Sequence, residues 1–326
     1  MNKWKKAVIH LECATDSEHF YDRMKRIDVL RAELSDGKIT EDQFTEAMSG
    51  GSRDLRYHGT AIFLEHDGGR YLLTARHVLW NEHSAKRECQ EEIQRCNQYP
   101  EHMRQSMLES AKDRALNQIF NIIFRVPSFD ELLHNNLSTD RAFLMNLGAG
   151  VSWMTPYTFS SPDLDIAVIS LDHRNGDSRF ADELIAKGYE PILSSDIADA
   201  PSGEGVEVFT VGFPSSTALL GQVSQHPALT NWSSTYFSLP TYSFGRVSML
   251  HEALPFYWTD MSIYPGNSGG PIIEDDKLVG IVSGQPTIQV ENSKDLKIRI
   301  PFGKIIKTQF LLDLIQIQVQ KGKRDV

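Results

Sequence analysis

What most limits the folds open to this chain is a succession of short apolar runs in its second half, with turn signals between them. They fall at residues 165–171, 206–211, 237–247, 256–263, 272–274, 278–283 and 296–300. No helical pattern alternates with them, so a parallel βαβ sheet is excluded and a sandwich or barrel of antiparallel strands is expected. Upstream, residues 57–64 and 70–75 also read as strands and flank Asp67-Gly68-Gly69, a hairpin signal of the usual turn chemistry.

Two segments break the β text. Over 16–50, Phe20, Met24, Ile27, Val29 or Leu30, and Leu34 recur at helical spacing, the turn SDGK follows, and Thr40 with Gln43 has the form of a capping box that starts a second helix. Over 84–150 the text first turns charged and helix-forming, with one break at Pro100. A strand is expected at 6–13 and a closing helix over 304–318. The whole is expected to be all-β with helical insertions at 16–50 and 84–150, one domain over 1–326.

A hydrophobic share of 40% supports a sizeable core, and the net charge of -10 excludes a broadly basic footprint. Neither nucleic acid nor membrane is expected as a partner. The start MNKWKKAVIHLECATD lacks the apolar stretch of a secretion signal, and no run reaches membrane-spanning length. Cys13, Cys89 and Cys96 are too few for a disulfide framework and show no zinc spacing, which points to the cytoplasm. Cys89 and Cys96 are expected on one helix face, packed or exposed to solvent rather than redox-active. His58, His66 and His83 form no metal motif and are expected at the surface; neither metal nor cofactor is expected.

One loop-forming stretch, YPGNSGGP at 264–271, carries a serine. Ser268 is a nucleophile only if a histidine takes its proton, an acid orients that histidine, and N–H donors wait for the oxyanion. His77, in LLTARHV, sits where a strand runs into a turn. Asp165 opens the apolar run DIAVISL; Asp163 lies two residues earlier on the same side of a pleat, but Asp165 abuts the run. Gly266-x-Ser268-x-Gly270 fits an α/β-hydrolase elbow in form, yet no histidine follows Ser268, so the order Ser, acid, His fails. The order His, Asp, Ser remains.

TARHV, DIAVISL and GNSGGP resemble the three signature blocks of trypsin-like serine proteases. TDMSIYPGNSGGP at 259–271, with VGFP at 211–214, FGRVS at 244–248, VGI at 279–281 and the late IP at 300–301, is similar to the HtrA type in particular. The resemblance implies a chymotrypsin-like double β-barrel. It would have two six-stranded antiparallel barrels, about 1–185 and about 186–326, with a C-terminal helix and no PDZ domain. It implies His77 as general base and then acid, Asp165 as its orienting group, and Ser268 as the attacking group. The N–H groups of Gly266 and Ser268 would form the oxyanion hole. Ser262 would lie at the base of the pocket for the residue preceding the scissile bond and, being small and neutral, favours small or medium apolar side chains.

Three features depart from the family pattern. Arg76 stands where a small residue usually precedes the histidine, and its side chain is expected to face solvent. Asn267 replaces the aspartate that pairs with a newly cut N-terminus. The helical insertions are foreign to the family and mark the place for an activating protein partner. The expected function is a cofactor-independent serine endopeptidase acting on protein or peptide through an acyl-enzyme; the alternatives are a catalytically latched or inactive trypsin-fold binding module and an esterase on the same scaffold.

Overall fold

A computed structural model describes residues 2–16, 20–50, 54–80, 82–117, 122–123, 145–146, 158–161, 163–172, 179–215, 219–222, 236–290, 296–300 and 302–324. Most of the expected insertion beyond residue 117, and His83 as a side chain, lie outside the described residues. The chain divides into a large unit, residues 1–13 with 57–326, and a small one, residues 14–56.

The first residues are not wholly a strand. Helix α1, Asn2–Ala7, buries Trp4 and Ala7 before strand β1, Val8–Asp16, begins. The small unit holds α2, Phe20–Ser35, and α3, Glu41–Gly50. Gly37 turns the chain between them at φ 70°. The capping box is present: the N–H of Thr40 donates to Gln43 Oε1 at 2.9 Å and the N–H of Gln43 to Thr40 Oγ1 at 3.2 Å.

In the large unit, β2 (Asp54–His66) and β3 (Gly69–Ala75) form the expected hairpin, with Asp67 and Gly68 both at positive φ. Helices α4 (Arg76–Leu79), α5 (Glu82–Cys96) and α6 (Glu101–Asn117) follow, the last two split at Pro100 as the sequence indicated. Short strands β4 (Ile122–Ile123), β5 (Met145–Asn146), β6 (Thr158–Ser161), β7 (Ile166–Ser170) and β8 (Ile192–Leu193) complete a sheet ordered β5-β4-β1-β2-β3-β7-β6, with β8 beside β2. Helix α7, Arg179–Ala186, precedes β8 and buries Ala181 and Leu184.

The second half gives β9 (Glu207–Gly212), β10 (Leu219–Gln222), β11 (Tyr236–Ser238), β12 (Thr241–Met249), β13 (Phe256–Thr259), β14 (Pro271–Glu274), β15 (Lys277–Gly284), β16 (Thr287–Gln289), β17 (Lys297–Arg299) and β18 (Gly303–Lys307). Six of these close a barrel in the order β12-β13-β18-β15-β14-β9. The expectation of two six-stranded barrels is therefore corrected for the described residues: one barrel closes, and the other assembly is an eight-stranded sheet. The fold is also mixed in helix and strand rather than nearly all β.

A second correction concerns residues 304–318. Gly303–Lys307 is a strand, paired to β13 through Phe256↔Ile306 and to β15 through Ile281↔Ile306, and it is what closes the barrel. Ile305, Ile306 and Lys307 are all buried, so the alternation that marks a half-buried strand is missing. Lys307 tolerates burial because its ammonium donates to the carbonyls of His251 at 2.7 Å and Glu252 at 3.3 Å. Only from Leu311 does a helix run, α8 (Leu311–Arg324).

One core joins these parts. Ile62, Leu64, Leu73, Ile166 and Val168 from the sheet pack with Val211, Phe213, Ile273, Leu278, Ile281 and Ile306 from the barrel strands and their flanks. Trp4, Ala7 and Val8 belong to the same cluster, as do Leu311, Leu314 and Ile315 of α8.

Candidate active site

The β3–β7 ladder ends at Ala75↔Ile166, and the chains immediately beyond it carry His77 and Asp165. The N–H of Arg76 donates to the Asp165 carbonyl at 2.9 Å, one further rung. Asp165 sits at φ 57°, a left-handed conformation that aspartate accepts more readily than most residues. Its carboxylate then faces α4: Oδ1 accepts the backbone N–H of His77 at 3.0 Å and Oδ2 lies 2.8 Å from His77 Nδ1. A carboxylate can only accept, so Nδ1 carries a hydrogen, and in the neutral ring it is Nε2 that keeps its lone pair. Oδ2 also accepts the hydroxyl of Ser283, at 2.7 Å, from the end of β15. Asp163 is exposed and makes no such contact.

Arg76 does not face solvent as expected. It is buried, with its guanidinium 3.3 Å from the ring centroid of Trp80. Four residues apart, the two side chains meet on one side of the turn, and stacking replaces hydration.

The loop 264–270 is fixed by bonds to its carbonyls. Pro265 O accepts the N–H of Ser215 at 2.8 Å and its hydroxyl at 3.1 Å. Gly266 O accepts Thr60 Oγ1 at 2.8 Å. Asn267 O accepts the N–H of Gly270 at 2.8 Å, and Ser268 O that of Thr60 at 2.8 Å. The peptide 265–266 is trans, so with its oxygen on Ser215 the Gly266 N–H points the other way. Neither that N–H nor the Ser268 N–H has a hydrogen-bond acceptor among the described residues, whereas Gly269 N–H donates to Val282 O at 2.7 Å. Gly266, at φ 100°, admits no side chain: a Cβ there would fall 2.2 Å from Phe213 O.

Gly269 lies against Thr60, Thr74 and Ala75, so the loop holding Ser268 abuts the strand end that leads to His77. No hydrogen bond of 3.5 Å or less joins Ser268 Oγ to His77 among the described residues. His77 is half exposed and Asp165 28% exposed, as a cleft requires. Beneath the loop Asn267 is 1% exposed, with both amide atoms unpartnered among the described residues.

An open cavity of about 270 Å³ adjoins this loop, lined by Ser262, Tyr264, Pro265, Gln285 and Arg299. Ser262 thus lines a pocket beside the loop of Ser268. Arg299, Ser215, Thr60 and Ser283 escaped the sequence reading. The one signal for Thr60 and Ser283 is a lone hydroxyl at the margin of an apolar run.

His58 and His66 are half-buried rather than on the surface as expected. His58 Nδ1 lies 3.4 Å from Nε2 of the buried His10, and the two rings stack at 5.5 Å. Among the described residues no group of three or more His, Cys, Asp or Glu side chains converges as a metal site, and no helix is long and apolar enough to cross a membrane.

The sequence profile of a trypsin-like peptidase domain matches residues 59–281. No curated protein matches the chain in sequence. Among solved structures, a scabies mite inactivated protease paralogue is 13% identical with a TM-score of 0.36, covering 82% of this chain and 89% of its own. A mutant of human heparin binding protein is 9% identical with a TM-score of 0.41, covering 80% and 86%.

Proposed function

Since the chain belongs to the trypsin-like peptidase domain family, whose substrates are proteins, we propose that it is a serine endopeptidase with Ser268 as nucleophile, His77 as base and acid, and Asp165 as the orienting group. The observation that carries this is the Asp165 carboxylate, which holds His77 at both its backbone N–H and Nδ1. That contact presents Nε2, unprotonated, as the base. In this reading Ser268 Oγ bonds to the scissile carbonyl carbon as its proton passes to Nε2. The oxyanion takes the N–H groups of Gly266 and Ser268. His77 returns the proton to the departing amine, and water, deprotonated by His77, cleaves the acyl-enzyme. The eight-stranded sheet stands in this reading for the first barrel of the chymotrypsin fold and the HtrA type is its nearest pattern, with the helices at 16–50 and 84–118 as the place where a partner governs the cleft inside the cell.

The missing Ser268–His77 hydrogen bond favours a second reading, a latched trypsin-fold binding module, although such bonds often tighten only with substrate in place. A fluorophosphonate probe and casein cleavage separate the two, run on wild type, Ser268→Ala and Asp165→Asn with and without host lysate. Labelling and cleavage that vanish in Ser268→Ala and fall about 10⁴-fold in Asp165→Asn support the peptidase. Activity that needs lysate supports partner control. Silence under every condition supports the latched module.

A further inference from the structure

The cavity beside the Ser268 loop holds a cation, Arg299, that pairs with no carboxylate among the described residues. Tyr264 and Pro265, on its wall, immediately precede Gly266, and Gln285 follows β15, whose Val282 is bonded to both Gly269 and Gly270. A side chain entering there from a peptide on Ser268 would meet Ser262, Gln285 and Arg299. None of the five lining residues is acidic. Arg299 ends β17, paired with Thr287 across an exposed two-stranded hairpin. It has no ion-pair or hydrogen-bond partner among the described residues. Lys297, two residues earlier on the same face, has none either. Arg299 is itself exposed, so its guanidinium is open to a ligand entering the pocket.

We infer that Arg299 makes this cavity a receptor for a carboxylate, so that the residue preceding the scissile bond is Glu or Asp. A guanidinium offers a planar fork of donors that matches a carboxylate's two oxygens, and the Ser262 hydroxyl and Gln285 amide add neutral donors beside it. Ser262 considered alone favours an apolar side chain; Arg299, 37 positions later in the chain, reverses that expectation. The inference rests on the peptidase reading for its meaning, but its chemistry resides in the pocket.

The test uses matched peptides that differ only in the residue before the cleaved bond: Glu, Asp, Gln, Val and Lys. Wild type is expected to show kcat/KM for Glu over Gln on the order of 10- to 100-fold, the range of a charge-assisted hydrogen bond. Arg299→Gln should bring that ratio near one, and Arg299→Glu should turn preference toward Lys. A ratio taken within one preparation does not depend on how much of it is folded. Wild type that labels with fluorophosphonate at Ser268 yet cleaves after Val or Lys as readily as after Glu overturns the inference and leaves the peptidase standing. Full-length Ser268→Ala supplies a binding arm independent of catalysis. A peptide ending in Glu should bind it at least ten times more tightly than the same peptide ending in Gln, and equal affinities overturn the inference even if no labelling occurs.

Discussion

Among the described residues the carbonyl of Pro265 is held by Ser215 alone, through its N–H at 2.8 Å and its hydroxyl at 3.1 Å. Ser215 follows β9, so a residue 50 positions before Pro265 decides which way the 265–266 peptide faces.

That peptide can rotate if its oxygen is released, which would put a carbonyl where an oxyanion needs a donor. Ser215→Ala removes one of the two bonds, a loss of about 1 kcal/mol. We expect kcat to fall roughly five- to tenfold while KM for a small peptide stays within a factor of two. Steady-state kinetics checks this; an unchanged kcat would mean that the Ser215 N–H suffices.

Gly269 sits at φ 84°, and a Cβ there would fall 2.1 Å from Thr60 O and 2.2 Å from Thr74 Oγ1. Gly205, at φ 81°, has nothing within 4 Å of the same point. Alanine at 205 carries only the left-handed backbone cost, about 1 to 2 kcal/mol. Alanine at 269 adds the collision and is expected to cost about 3 kcal/mol or more. Thermal melting of the two variants beside wild type compares them, and equal losses would sink the steric argument.

His10 is buried between His58, the Ser238 hydroxyl at 3.3 Å and the Phe213 ring at 5.2 Å, and burial together with the His58 charge pushes its pKa down to about 3. The folded state thus refuses a proton that the unfolded chain accepts below about pH 6.5. Stability should therefore drop as pH falls from about 6.5 toward 3, by up to roughly 1.4 kcal/mol per unit. Urea midpoints at several pH values should trace that slope in wild type and a shallower one in His10→Gln. The same slope in both would assign the acid sensitivity to other groups.

The pairing of His77 with Asp165, and the loop of Ser268 that abuts the same strand end, were legible because each lies in a contiguous stretch whose local chemistry is visible: a strand running into a turn at His77, a carboxylate opening an apolar run at Asp165, glycines around Ser268. Hidden from the text were features that depend on how a residue packs. Arg76 reads as a surface charge until Trp80 stacks on it. His58 reads as exposed until it meets His10, 48 positions away. Strand Gly303–Lys307 flows into a helix without a breaker, and its full burial erases the two-residue period that would have separated them. Arg299 reads as one more hairpin charge until the pocket of Ser262 forms beside it.

The core shared by sheet and barrel has a consequence for the order in which the molecule is made. Residues 4–8 and 311–315 pack into the same apolar cluster. While the chain is being synthesised, the segment bearing His77 and Asp165 emerges long before the one bearing Ser268, and the cluster that joins them waits for Leu311, Leu314 and Ile315 to leave the ribosome. A nascent chain of this design therefore holds its two catalytic-type segments apart in maturity as well as in sequence, and their shared core is complete only once residues 311–315 have been made.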